Sequence, residues 1–179
     1  MNDTSLETFD DEQIGWTGQR ILGVAVVVLL FAFWIWAFSP WAPNNKADGI
    51  SDKAYLKHAN ASCATMQATL NKLPRAMDTA TASTRADVIA ESEAPLATMI
   101  ADLRAAATSL QGRDAELVGQ WLDDWQTYSN DRQAYGVALR SDQRALFMVT
   151  QRGTGQITKT MDGFTRVNDL SNCLVPTDV

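Results

Sequence analysis

Residues 21–38 form an unbroken apolar run without a single charge. Eighteen helical residues rise about 27 Å, close to the hydrocarbon thickness of a bilayer. No other stretch of the 179-residue chain has this character. A chain with one such run is expected to carry one membrane-spanning helix, and everything after it must fold in water. Indole rings prefer the headgroup region. Trp34, Trp36 and Trp41 crowd one end of the run, and Trp16 and Arg20 flank the other, as interface anchors would. The rival reading is a cleaved signal peptide. Its apolar core would be shorter, and small residues would precede the cut. Here bulky Trp and Phe residues precede Ser39-Pro40, so an uncleaved signal-anchor is expected in a plasma membrane.

The flanks divide the rest of the chain. Before the run, Asp3, Glu7, Asp10, Asp11 and Glu12 face one arginine. So short and polar a segment cannot bury a core and is expected to stay disordered. After the run, two prolines and two asparagines between residues 40 and 45 make a non-helical stalk. The expected division is an acidic cytoplasmic tail (1–19), an anchor helix (20–39), a stalk (40–49) and an extracytoplasmic domain (50–179). The 130 residues after the stalk suffice for a hydrophobic core.

Two arguments about the side of the membrane disagree. Arg20 precedes the span and Lys46, Lys53 and Lys57 follow it, which by the positive-inside rule favours a cytoplasmic domain. The cysteines argue the other way. Cys63 and Cys173 are the only two, far apart, with no C-x-x-C spacing for metal or redox work. Such a pair suits a structural disulfide in an oxidising compartment. Long domains translocate despite their charge, so the domain is expected outside, with Cys63 bonded to Cys173.

Three segments of the domain have helical periodicity. The first places Leu56, Ala59, Cys63, Met66, Leu70 and Leu73 on one face, with Ser51 or Asp52 as cap and Pro74 as terminator. The second repeats the rhythm through Ile89, Ser92, Leu96, Met99, Leu103, Ala106 and Leu110. Ser83 or Thr84 should cap it, Pro95 should kink or break it, and Gly112 should close it. The third runs through Val118, Trp121, Trp125, Tyr128, Arg132, Tyr135 and Leu139, with Asp114 as expected N-cap. After Ser141, Leu146 to Thr150 is short, apolar and partly β-branched. Around the Gly153-Thr154-Gly155 turn it should pair with Gln156-Ile157-Thr158. A short helix over residues 161–170 would follow. The fold class is therefore mainly α: a membrane helix, then an antiparallel bundle of three to four helices with a small β-hairpin near the C-terminus.

Chemistry is sparse. The chain has one histidine, His58, and no thiolate cluster, so no zinc site or catalytic triad is indicated. Asp123, Asp124 and Asp131 could hold calcium, but no ligand loop with glycine accompanies them. A solvated helix face, with Arg104 and Arg132 as partners, is the expected reading. The aromatic stripe Trp121, Trp125, Tyr128 and Tyr135 either packs as core or lines a ligand slot, and core is favoured. Arg132 interrupts it at a core position and should pair with a carboxylate, stack on an aromatic ring or reach the rim. No phosphate-binding, dinucleotide, hydrolase or metalloprotease motif is present. A net charge of −6 gives no basic footprint for nucleic acid. No cofactor, metal or catalytic residue is expected, and the chain is not read as an enzyme.

The run from Trp121 to Tyr128, then Asn130-Asp131-Arg132-Gln133-Ala134-Tyr135, and the closing Asp162-Gly163-Phe164-Thr165-Arg166-Val167-Asn168 with Cys173 and Pro176-Thr177-Asp178-Val179, resemble single-span actinobacterial envelope proteins. The resemblance spans most of the domain after the stalk. It implies a tethered, extracytoplasmic helical domain and supplies no activity or site residues. Two roles are open: an accessory or scaffolding subunit that binds a larger membrane complex, and a sensor or carrier of a small ligand on the aromatic face.

Overall fold

The computed structural model describes residues 18–38 and 48–178, the side chain of Met77 excepted. Two compact units divide at residues 45 and 46.

The first unit contributes helix α1, Gly18–Ala37. Its mean hydropathy reaches 2.3, and it is long and apolar enough to cross a membrane. Trp34 stacks on Phe38 at 5.5 Å between ring centroids, and Phe33 meets Trp34 edge-on. Trp36 and Arg20 also lie on this helix, exposed. Trp16, Trp41 and the expected stalk up to residue 47 lie outside the described residues.

The second unit is a helical bundle: α2 (Lys53–Leu70), α3 (Ala82–Ala107), α4 (Gly112–Ser141) and α5 (Ile157–Val167), with strands β1 (Gln151–Arg152) and β2 (Gly155–Gln156) before α5. Its helices form where the apolar stripes predict, but several ends differ. Asp52 caps α2 by accepting from the Tyr55 N–H. The helix stops at Leu70, three residues before Pro74's neighbour Leu73, whose side chain still packs on the core. Thr81, rather than Ser83 or Thr84, caps α3. Thr84 instead answers from the third position, each hydroxyl serving the other residue's N–H. Pro95 does not break α3, which continues for 26 residues because both halves of its stripe pack on its neighbours. Gly112 does not close α3. Thr108 does, and Gly112, at φ +54°, opens α4 in a conformation that suits glycine. Asp114 lies within the first turn of α4, after the N-cap Gln111.

Pairs across α3 and α4 show their antiparallel course: Arg104 meets Asp123, Glu93 meets Ser129, and Asp87 meets Arg140. One index falls as the other rises. The helices close most tightly at Gly136, where a Cβ would sit 3.3 Å from Ile89 Cγ2. The larger core joins Cys63, Met66, Leu96, Met99, Leu103, Trp121, Trp125, Tyr128, Met161 and Phe164. A smaller one gathers Ala86, Ile89, Tyr135 and Leu139, and Phe147 packs against both.

The hairpin is shorter than the sequence suggests. Its ladder holds two pairs, Gln151 with Gln156 and Arg152 with Gly155, around Gly153 at φ +62°. Leu146 to Val149 run without a partner strand. Phe147 and Val149 face the core, while Leu146 and Met148 are exposed. Ile157 and Thr158 begin α5 instead of continuing β2. That helix starts four residues before the expected Met161 and ends at Val167. Starting there turns Ile157, Met161 and Phe164 inward at helical spacing.

Ion pairs and hydrogen bonds fasten both ends of the domain. Asp114 Oδ2 accepts from the N–H groups of Ser51 and Asp52 and from the Ser51 hydroxyl. The Ser51 hydroxyl above all, helped by the two N–H groups, outweighs burial and holds this carboxyl below its ordinary range. Asn168 takes the Ile50 N–H and donates to the Asp48 carbonyl. At the far end Cys63 and Cys173 have their sulfurs 2.08 Å apart, at disulfide distance.

Candidate functional site

The centre of the bundle is a buried cation. Arg132 is fully buried on α4. Its Nη1 and Nη2 each donate to one oxygen of Asp178 at 2.8 Å, the two-pronged geometry a guanidinium favours. Nε donates to Glu93 at 3.3 Å, Nη2 reaches the Ser92 hydroxyl, and the charge lies over the Tyr128 ring at 5.7 Å. Burial alone would push this guanidinium down. The hydrogen bonds it donates to Asp178, with the electrostatic pull of Tyr128 and Asp178, outweigh burial and hold Arg132 above its ordinary range. Arg132 therefore pairs with carboxylates and sits over an aromatic ring, as two of the three expectations had it, and does not reach the rim. Its partners are Glu93 and Asp178, not the aspartates of its own helix.

These contacts bind the C-terminal segment as a strap. The Tyr128 hydroxyl donates to the Pro176 carbonyl at 3.1 Å, Gln67 donates to the Leu174 carbonyl, and Asp162 accepts from the Val175 N–H. Asp178 also accepts the Ala76 N–H through its carbonyl. One signal for this lay in the sequence. Ser92 and Arg132 are the polar exceptions in two apolar stripes, at matching heights of antiparallel helices.

Most of the aromatic stripe is packed core. Trp125, Tyr128 and Tyr135 are buried, with Trp125 edge-on to both Trp121 and Tyr128. Trp121 is buried too, 2% exposed, and also borders a cavity. Its ring stacks on Phe164 at 4.9 Å, beside a space of about 320 Å³ between α4, the hairpin and α5. Asp124, one turn along, lines the same cavity and is only 2% exposed. This corrects the expectation of a solvated aspartate face. Asp123 stays exposed with Arg104, and Asp131 holds Thr150 through its N–H and hydroxyl. Asp124 turns inward because the helix pitch places it beside Trp121 and Trp125.

The cation facing Asp124 is Arg152 of β1, half exposed, in an ion pair that lacks hydrogen-bond alignment at Asp124 Oδ1. Burial pushes the Asp124 carboxyl above its ordinary range. Arg152 pulls against that and Asp123 adds to it. The folded state thus binds the proton more tightly than the unfolded chain, so this carboxyl's contribution is fully present at low pH and is lost as pH rises through its folded pKa. Asp124→Asn is expected to gain stability relative to the native chain as pH rises from the ordinary carboxylate pKa, about 4, through the raised folded one. Chemical denaturation at a series of pH values would read the widening gap, and a constant difference would count against it.

Gly163 of α5 also lines this cavity. A Cβ there would meet nothing within 4 Å. Glycine inside a helix costs about 1 kcal/mol relative to alanine, and no tight packing requires it here. Gly163→Ala should therefore raise the melting temperature by a few degrees, readable by circular dichroism. A drop would mean an unseen steric demand.

A second cavity, about 690 Å³, runs between α2 and α3. At one end His58 Nε2 lies 2.9 Å from Asp102, both half exposed. Thr65, Thr69 and Thr98 line it, and each hydroxyl donates to the carbonyl one turn back on its own helix. No cluster of three metal-ligating side chains exists among the described residues. No protein-family model, curated protein or solved structure matches this chain.

Proposed function

We propose that the chain is a single-pass membrane protein whose helical domain lies outside the cytoplasm. It acts as an accessory or scaffolding subunit of a larger membrane or envelope complex, in keeping with its resemblance to actinobacterial envelope proteins. The observation that carries this reading is α1, an uncharged helix of membrane-spanning length with large aromatic side chains on its surface. The buried Arg132, Ser92 and Tyr128 support it, because their polar groups are spent on fastening the domain to itself. A rigid, tethered body is what a scaffold needs. The cysteine pair at disulfide distance supports the outward orientation. Affinity purification of the full chain in mild detergent should return stoichiometric partner proteins; recovery of this chain alone would overturn the subunit reading. Thiol labelling of the denatured chain without reductant tests the disulfide behind this orientation. Two freely reactive cysteines would defeat the disulfide and remove that support.

A second reading, a ligand-binding domain, is favoured by the cavity beside Trp121. Of the four rings in the stripe, this one lines the cavity, while it packs in the core with Trp125 and Tyr128. The site then lies at the hairpin end of α4, with Asp124 as its buried polar group.

A further inference from the structure

We infer that the cavity beside Trp121 takes a small organic cation, an alkylammonium or alkylguanidinium, whose charged head replaces Arg152 at Asp124. The inference rests on the ligand-binding reading above and names its ligand class.

Three observations carry it. A carboxylate only 2% exposed faces a cavity and is matched by a guanidinium that is half exposed. In the Arg132 pairs the cation is the inner member, with its carboxylates 14% and 20% exposed. Here the cation is the outer member and the acid the inner one. Arg152 sits at the turn of a two-pair hairpin whose base Asp131 holds through Thr150. Its side chain is half exposed, so the guanidinium can turn toward solvent while the hairpin stays in place. Finally, Gly163 is exposed at the α5 edge of the cavity, where an added Cβ meets nothing within 4 Å, and packing does not explain its cost in helix stability.

The chemistry of the walls selects the class. Asp124 and Asp48, the latter 3.9 Å from Arg113, both line the cavity, so with Arg152 displaced its lining carries acids and no base. An anionic ligand would meet them. Leu117, Val167 and the edges left by the buried Trp121 and Phe164 give an apolar wall for a hydrocarbon stem. At about 320 Å³, the space is at the lower end for ligand sites, roughly 300–1,000 Å³. It suits a head group on a chain of a few carbons, not a nucleotide or a folded peptide.

Agmatine, which carries both head groups on a four-carbon stem, is a suitable probe. Titration calorimetry on the full chain in nonionic detergent would compare it with glutarate and cyclohexanol. Agmatine is expected to bind the native chain, at least fivefold more tightly to Arg152→Ala and at least tenfold more weakly to Asp124→Asn. Gly163→Leu, which fills the space, should abolish binding without lowering the melting temperature. Arg152→Ala alters a half-exposed residue, so this arm survives if Asp124→Asn folds poorly. Agmatine binding no tighter in Arg152→Ala, or unchanged in Asp124→Asn, would overturn the cation inference. Glutarate or cyclohexanol binding that Gly163→Leu abolishes and Asp124→Asn spares would overturn it too, but would keep the ligand-binding reading. Heat from none of the three probes, in the native chain or Arg152→Ala, would overturn both.

Discussion

Arg132→Ala should destabilise the domain by about 3–5 kcal/mol, the cost of breaking a buried ion pair from one side. Two carboxylates, Glu93 and Asp178, would lose their shared cation while remaining mostly enclosed, at 14% and 20% exposure. The Ser92 and Tyr128 hydroxyls would lose a partner as well. Arg132→Met preserves most of the volume, so it separates lost packing from lost charge. Adding Asp178→Asn to Arg132→Met removes one stranded carboxylate, and part of the lost stability should return. Arg132→Lys should not substitute, because one ammonium cannot hold both Asp178 oxygens in the parallel two-bond geometry. Urea denaturation of the full chain in detergent, followed by far-ultraviolet circular dichroism, reads all four variants. A loss below about 1 kcal/mol for Arg132→Ala would show that water enters and solvates the two acids.

Replacing Cys63 and Cys173 together with serine should cost about 2–5 kcal/mol. The cross-link closes a loop across a sequence separation of 110, so its loss frees a large part of the unfolded chain. Both cysteines are fully buried, and the neighbouring Asn172 N–H bonds Asn60 of α2. The strap would then depend on Tyr128, Asp162, Gln67 and Arg132. Cysteine removal and Arg132→Ala act on the same segment, so their effects should not add. Once one fastening is lost, the segment detaches more readily, and the second change removes less than it does alone. A triple variant measured beside its parents tests this. Strict additivity would mean that the strap does not behave as one unit. Treating the native chain with reductant should reproduce the serine pair.

Periodicity made the helices legible. Leu56 to Leu70, Ile89 to Leu103 and Val118 to Leu139 each carry a 3–4 spacing of apolar residues, and that spacing means a helix wherever one side faces a core. Helix ends were less legible. Ser83, Thr84 and Thr81 are all competent caps, and the choice depends on where α3 first meets Tyr135 and Leu139. Pro95 shows the same limit. Alone it argues for a break, but continuous packing on both sides keeps α3 whole. The hairpin was read too long because Leu146 to Thr150 alternate as a strand would, although they pack on the bundle without a paired neighbour.

The candidate site was legible only in part. Trp121 could be singled out as one of four aromatic residues, but not separated from Trp125, which lies four residues away and is fully buried. Asp124 looked like its exposed neighbour Asp123. A rotation of one residue on a helix, about 100°, decides which of them faces Arg152 and which faces solvent. Arg152 was not selected at all, because an arginine in a polar turn carries no local signal.

The sequence by itself determined the apolar span, the helical stripes and the cysteine pair, since each depends on local composition, spacing or count. Tertiary structure alone decided that Asp178 answers Arg132, that Asp124 is buried and that Gly163 borders open space. Those outcomes depend on which residues distant in the chain share one volume, and no periodicity along the chain encodes that.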